Sequence, residues 1–256
     1  MASFFIYVVS FRVTVDLRKR KLMKSIAVGG LNAFVLPSFL PLLTASKASA
    51  NEHYDFYFTR LSYESGNWEV DERAPANILN SLIEYTTLSV DLRERIVALE
   101  DPAVLNVPFL YMAGHRLVEF NHAERQNFEQ YVNNGGFIFV DDCNHDIDGM
   151  FARSFEQQMA DIFGEDALVK IPNDHEIYTS FFQFDGPPNT SLELNGWGDD
   201  LVHDYLKAII VNGRIAVLYS NKDYGCEWDY DFRNKRWLKV DNTRFAVNIV
   251  MYAMTA

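Results

Sequence analysis

The chain has 256 residues, 35 of them acidic against 23 basic, and a formal charge of −12. Residues 1–50 hold seven basic residues and one acidic, so the remaining 206 carry −18. A surface that acidic repels phosphate backbones and excludes nucleic acid as a partner. The only two cysteines, Cys143 and Cys226, form no C-x-x-C, which excludes thiolate zinc motifs and thioredoxin-like dithiols.

The N-terminal stretch has the layout of a secretory signal. Arg18-Lys19-Arg20-Lys21-Leu22-Met23-Lys24 is basic. Ile26 to Leu43 is apolar, broken by Gly29, Gly30, Pro37 and Pro41. Ala48-Ser49-Ala50 closes it as a small-x-small cleavage pattern. Lys19-Arg20 resembles a twin-arginine signal with lysine in the first place. We therefore expect a signal peptide over 1–50, with Met23 as an alternative start, and an exported domain over 51–256, periplasmic or at the cell surface. An uncleaved membrane anchor is the alternative, and the Gly and Pro residues argue against a spanning helix. Membrane contact is expected through this segment alone.

Tyr54 to Leu61 is rich in aromatics and predicts the first strand. Ser62 to Ala74 predicts a loop at that strand's carboxyl end. Ile78, Leu79, Leu82 and Ile83 predict a helix over 76–88. Val90 to Leu99 reads as a short strand and a short helix. Val107 to Met112 predicts the next strand, ending in Ala113-Gly114-His115. Asn121-His122-Ala123-Glu124 resembles a capping box and opens a helix to about Val132, stopped at Gly135-Gly136. Phe137-Ile138-Phe139-Val140 is the pattern of a strand buried on both faces, and Asp141-Asp142-Cys143-Asn144 ends it.

Phe151, Phe155, Met159 and Phe163 then mark an amphipathic helix ended by Gly164. Leu168 to Ile171 predicts a strand, and Pro172 to Gly198 has no period. Asn212-Gly213 joins Ala208–Val211 to Arg214–Ser220 as a hairpin. Asp223 to Trp237 reads as a loop, and Thr243 to Met254 as a closing helix. The alternation predicts an α/β three-layer sandwich with a mostly parallel sheet, flavodoxin-like, plus the late hairpin.

In such sheets ligands bind outside the carboxyl ends of the strands. Arg60, Gly114, His115, Asp141, Asp142 and Asn144 fall at those ends. His115 with Asp142 has the makings of a general base and its orienter; capping or loop-holding by the carboxylates is the alternative. Asp141, Asp142, His145, Asp146 and Asp148 are close in sequence, but no spacing matches a metal motif, so no metal ligand is assigned and the cofactor is unknown. Arg153 is a candidate partner for Asp141 or Asp142, or an anion clamp. His175 and Asp223 lie on irregular segments suited to folding over a crevice. Carboxylates beside Cys143 would raise its pKa, which argues against a thiol nucleophile.

Val107 to His115, Glu124-Arg125, Gly135 to Cys143, Arg153-Ser154-Phe155, Asp174-His175 and Asp223-Tyr224-Gly225 together resemble the bacterial family called domain of unknown function 4159, over about Tyr54 to Met254. The resemblance implies an architecture similar to class I glutamine amidotransferases and frequent export. It implies no activity, because the family has none established. In the amidotransferases the nucleophilic cysteine follows a strand equivalent to Phe137–Asp141. Here Asp142 takes that elbow, and the Cys–His–Glu triad is not recognisable. Family context places members beside envelope complexes with ATPase and von Willebrand-like modules. Two readings follow: a binding module for a small molecule or an envelope protein partner, and a hydrolase-like enzyme using Asp142 and His115, perhaps metal-assisted.

Overall fold

The computed structural model describes residues 54–196, 198–230 and 242–255. The signal-peptide expectation for 1–50 lies outside them, as does most of the second half of the loop expected over 223–237. Seven strands form one sheet: β1 Phe56–Ser62, β2 Val90–Ala98, β3 Phe109–Gly114, β4 Phe137–Asp142, β5 Val169–Lys170, β6 Lys207–Val211 and β7 Arg214–Ser220. Their order is β2-β1-β3-β4-β7-β6-β5. The first five in that order pair in parallel, and β6 and β5 add antiparallel at the edge. The α/β class, the mostly parallel sheet and the late hairpin all hold.

Six helices complete the described fold: α1 Ala74–Tyr85, α2 His122–Asn133, α3 Met150–Phe163, α4 Ser191–Leu194, α5 Tyr224–Trp228 and α6 Thr243–Thr255. Short 3-10 turns sit at Pro102–Asn106 and Glu176–Tyr178. α2 begins with the expected capping box, Asn121 accepting from Glu124 N and Glu124 from Asn121 N. The hairpin turns on Asn212 and Gly213, both at positive φ, 53° and 82°. That is the turn whose twist matches antiparallel strands.

Three expectations change. Val90–Ala98 is one nine-residue strand rather than a strand and a helix. Its charges, Asp91, Arg93, Glu94 and Arg95, mask its period, and they suit an edge strand that must not recruit another chain. The 223–237 segment opens with a helical turn, α5, because Asp223 caps it by accepting from Cys226 N at 3.2 Å. The irregular 172–198 stretch carries α4, with its own capping box at Thr190 and Glu193.

Strand alternation sorts the core into two layers. Phe56 and Phe58 of β1, Phe109 and Tyr111 of β3, and Phe137 and Phe139 of β4 face α1, α5 and α6. Leu110, Met112, Ile138, Val140, Val217 and Tyr219 face α2 and α3. On the first layer, rings of β3 and β4 stack across the register, Phe109 on Phe137 and Tyr111 on Phe139, each pair 5.9 Å apart. Burial of each such ring stabilises by about 1.5–3 kcal/mol. α1, which follows β1, lies on one face; α2, which follows β3, lies on the other. The crossover direction therefore changes between β1 and β3, and a crevice opens there beyond the carboxyl ends.

Candidate ligand cleft

The same alternation continues past the apolar run. Asp141 follows Phe139 onto the α1 and α5 side, and Asp142 follows Val140 onto the α3 side. The Asp141 and Asp142 side chains therefore point to opposite faces and border different polar groups.

The first cluster floors a cleft of about 600 Å3, lined by loops after β1, β3, β4 and β7, with Asp71, Arg73, His115, Cys143, Asn144 and Asp223 among its walls. Asp71, Cys143 and Asp223 converge, with one side-chain ligand atom from each within 4.8 Å of the others. Cys143 Sγ donates to Asp71 Oδ2 at 3.1 Å, and Tyr111 hydroxyl donates to the same oxygen at 3.3 Å. Asp141 Oδ2 accepts Gly225 N at 2.6 Å, while its Oδ1, also buried, has no hydrogen-bond partner. A Cβ at Gly225 would come within 2.1 Å of Asp71 Oδ2, so glycine is what lets α5 start against the carboxyl group. Asp223 holds a left-handed φ of 58° at the turn from β7 into α5. Residues other than glycine sit there at a cost of order 1–3 kcal/mol.

Among the described residues no cation pairs with these acids. Asp71, Asp141 and Asp223 are 8%, 0% and 1% exposed, and none makes an ion pair with Lys, Arg or His among the described residues. Arg60 is buried beside them but is already engaged. Its guanidinium pairs with Glu94, donates to the backbone oxygens of Val70 and Asp71, and lies 5.4 Å over the Tyr111 ring. Burial accordingly pushes Asp223 up to about 11, helped by Cys226 and Asp141. It lifts Asp71 and Asp141 too, against the pull of the Cys143 thiol on the one and Gly225 N–H on the other. Hydrogen bonding with Cys226, followed by burial, holds the Cys143 thiol well above its ordinary range. A thiol so placed stays protonated and is a poor nucleophile.

Asp142 itself lies on the α3 side. Asp142 Oδ1 accepts Asn144 N at 3.0 Å, Oδ2 is buried without a partner, and burial pushes the group up to about 7. Beyond it His145, His203, Asp199, Glu193 and Lys222 pack together, with His145 and His203 ring centroids 5.0 Å apart.

The expected site residues distribute as follows. Asp141, Asn144, His115 and Asp223 gather at the cleft or in its floor, with Gly114 at the end of β3 beneath them. A Cβ at Gly114 would strike the Tyr63 hydroxyl at 2.3 Å, so its role is close packing. His115 does not bond Asp142; both of its ring nitrogens face Asn67 Nδ2, at 3.0 and 3.2 Å. Arg153 is exposed on α3 and forms no ion pair with either aspartate. His175 caps the Glu176–Tyr178 turn and packs 5.7 Å from Tyr252, whose hydroxyl accepts from Ile215 at the start of β7. That is the opposite rim of the sheet.

Asp71 and Tyr111 are cleft-floor residues that sequence reasoning does not single out. Asp71 lies in the loop expected after β1, and its neighbours there are equally polar, so only the fold distinguishes it. Residues 57–254 match the sequence model of a family described as a domain of unknown function, DUF4159. The chain belongs to that family. No curated protein matches it.

Proposed function

We propose that this member of the DUF4159 family is an exported bacterial binding module of the cell envelope, built on a glutamine amidotransferase-like architecture. Its crevice takes a small ligand bearing an amine or guanidinium group. The observation that carries the reading is the cleft floor: three buried carboxyl groups gather there with no cation paired to them among the described residues. Groups of this kind stay neutral or recruit a positive charge, because an isolated buried carboxylate is strongly disfavoured. A cationic ligand supplies that charge, and the acidic walls Glu69, Glu72 and Asp229 favour its approach. Export rests on the basic, apolar and Ala48-Ser49-Ala50 layout of the N-terminal stretch. No helix among the described residues is long and apolar enough to cross a membrane.

The hydrolase-like alternative with Asp142 and His115 draws less support. Their side chains are engaged with Asn144 and Asn67, not with each other, and strand alternation turns Asp142 away from the cleft. The thiol mechanism of amidotransferases is disfavoured by the raised Cys143.

The test is calorimetric titration of the full chain with arginine and with a short diamine, at pH 6 and pH 8. Binding stronger at pH 8, with proton release on binding, and at least tenfold weaker for Asp223→Asn and Asp71→Asn supports the reading. Absence of binding by both probes, or equal affinity in both variants, overturns it.

A further inference from the structure

A second site, none of whose ligand residues line the cleft, does not depend on the reading just given. Its parts come from the turn after β4, which carries His145, and from Glu193 of α4 with Asp199 and His203 ahead of β6. The backbone ties them together: Asp199 N donates to His145 O at 3.0 Å, and a Cβ at Gly198 would collide with that same oxygen. His145 takes a left-handed φ of 47° and is fully buried, which directs its ring inward.

The side chains then converge on one point. His203 Nε2 lies 2.9 Å from Asp199 Oδ2, and His145 Nδ1 lies 3.8 Å from Asp199 Oδ1. One ligand atom from each of the three residues falls within 4.8 Å of the other two. Bonds of about 2.0–2.2 Å to a tetrahedral ion place neighbouring ligand atoms roughly 3.3–3.6 Å apart. The observed separations bracket that range. The opposite nitrogen of His145, Nε2, lies 3.4 Å from Glu193 Oε1. Glu193 Oε1 in turn receives Lys222 Nζ at 2.5 Å. Glu193 thus faces the far nitrogen of His145, the place from which a carboxylate orients a ligating histidine. Lys222 offsets the charge of Glu193, and Asp199 faces both imidazoles.

We propose that His145, His203 and Asp199 form a binding site for a divalent transition metal of the zinc class, with Glu193 orienting His145. Two imidazoles and one carboxylate suit such an ion better than magnesium or calcium, which take oxygen ligands. Asp199, with 12% of its side chain exposed, marks the side from which an ion enters. The ion clamps the 193–203 segment onto the turn after β4.

The test strips the full-length chain with a chelator and titrates it with Co2+ and then Zn2+. One equivalent should bind, giving visible cobalt bands without a thiolate charge-transfer band, and Zn2+ should displace it. His203→Gln and Asp199→Asn should each weaken binding at least tenfold, while Asp71→Asn leaves it unchanged. Circular dichroism reports whether each variant is folded. Should both fail to fold, the cobalt spectrum of the native chain decides by itself. A thiolate band would move the ion to Cys143, and either that result, no stoichiometric binding, or full affinity in folded variants overturns the site.

Discussion

Asp141 and Asp142 are adjacent in sequence, both buried, and border polar clusters of different make-up. On the Asp141 side, carboxyl and thiol groups gather with no cation paired to them among the described residues, and each acid is pushed toward its neutral form by burial. On the cluster beyond Asp142, Lys222 is buried against Glu193 and donates to His203 O, so charge meets charge. The difference teaches that burial does not set the outcome alone. The partner decides whether a buried group is a source of stability or a stored cost, and stored cost is what a ligand can relieve.

That contrast breaks most visibly at Lys222. Lys222→Met should destabilise the fold by about 3–5 kcal/mol, since it leaves Glu193 buried without its cation. Urea denaturation at pH 7 measures it, and a loss below about 1 kcal/mol would erase the difference between the clusters.

Removing a charge from the other cluster should do the reverse. Asp223 has its folded pKa raised, so the folded state holds a proton that the unfolded state releases as pH rises above about 4. Its contribution therefore favours folding least at high pH: stability falls as pH climbs from the unfolded value toward the folded one. Asp223→Asn keeps the cap and tolerates the left-handed backbone. It should be neutral at pH 4 and stabilising by about 1–4 kcal/mol at pH 7, at about 1.4 kcal/mol per pH unit as an upper limit. The same variant should lose ligand, and gain in stability with loss of binding is the signature of a strained functional position. Thermal melts at the two pH values decide it.

Gly225→Ala sharpens the comparison by geometry instead of charge. The added methyl group meets Asp71 and the Tyr111 hydroxyl, so a loss of about 1–3 kcal/mol is expected. Cobalt binding at the His145 site should be untouched, and a loss there would join the two regions. The smallest effect is expected on cysteine reactivity. Cys226 is exposed whereas Cys143 is protonated and half-buried, so iodoacetamide at pH 8 should modify Cys226 first, with mass spectrometry of peptides as the readout. Equal rates would place the thiol outside the acid pocket.

Much of this was written locally. The apolar run Phe137–Val140, the Asn121–Glu124 capping box and the Asn212-Gly213 turn each state their structure within a few residues, because period, cap and turn are short-range effects. So the mostly parallel sheet, the carboxyl-end rim and the presence of Asp141, Asn144 and Asp223 on or beneath it followed from the chain alone. The edge strand β2 did not, because its charges hide its alternation. Asp71 and the His145, Asp199 and His203 group did not either. Asp71 meets Cys143 across 72 positions and His145 meets Asp199 across more than fifty, through loops with no period of their own. Sequence determines which residues turn to which face, since alternation along a strand is fixed by covalent geometry. Which distant loop arrives to face them, and whether it brings a lysine or another acid, is decided only when the sheet closes and burial makes every unpaired charge costly.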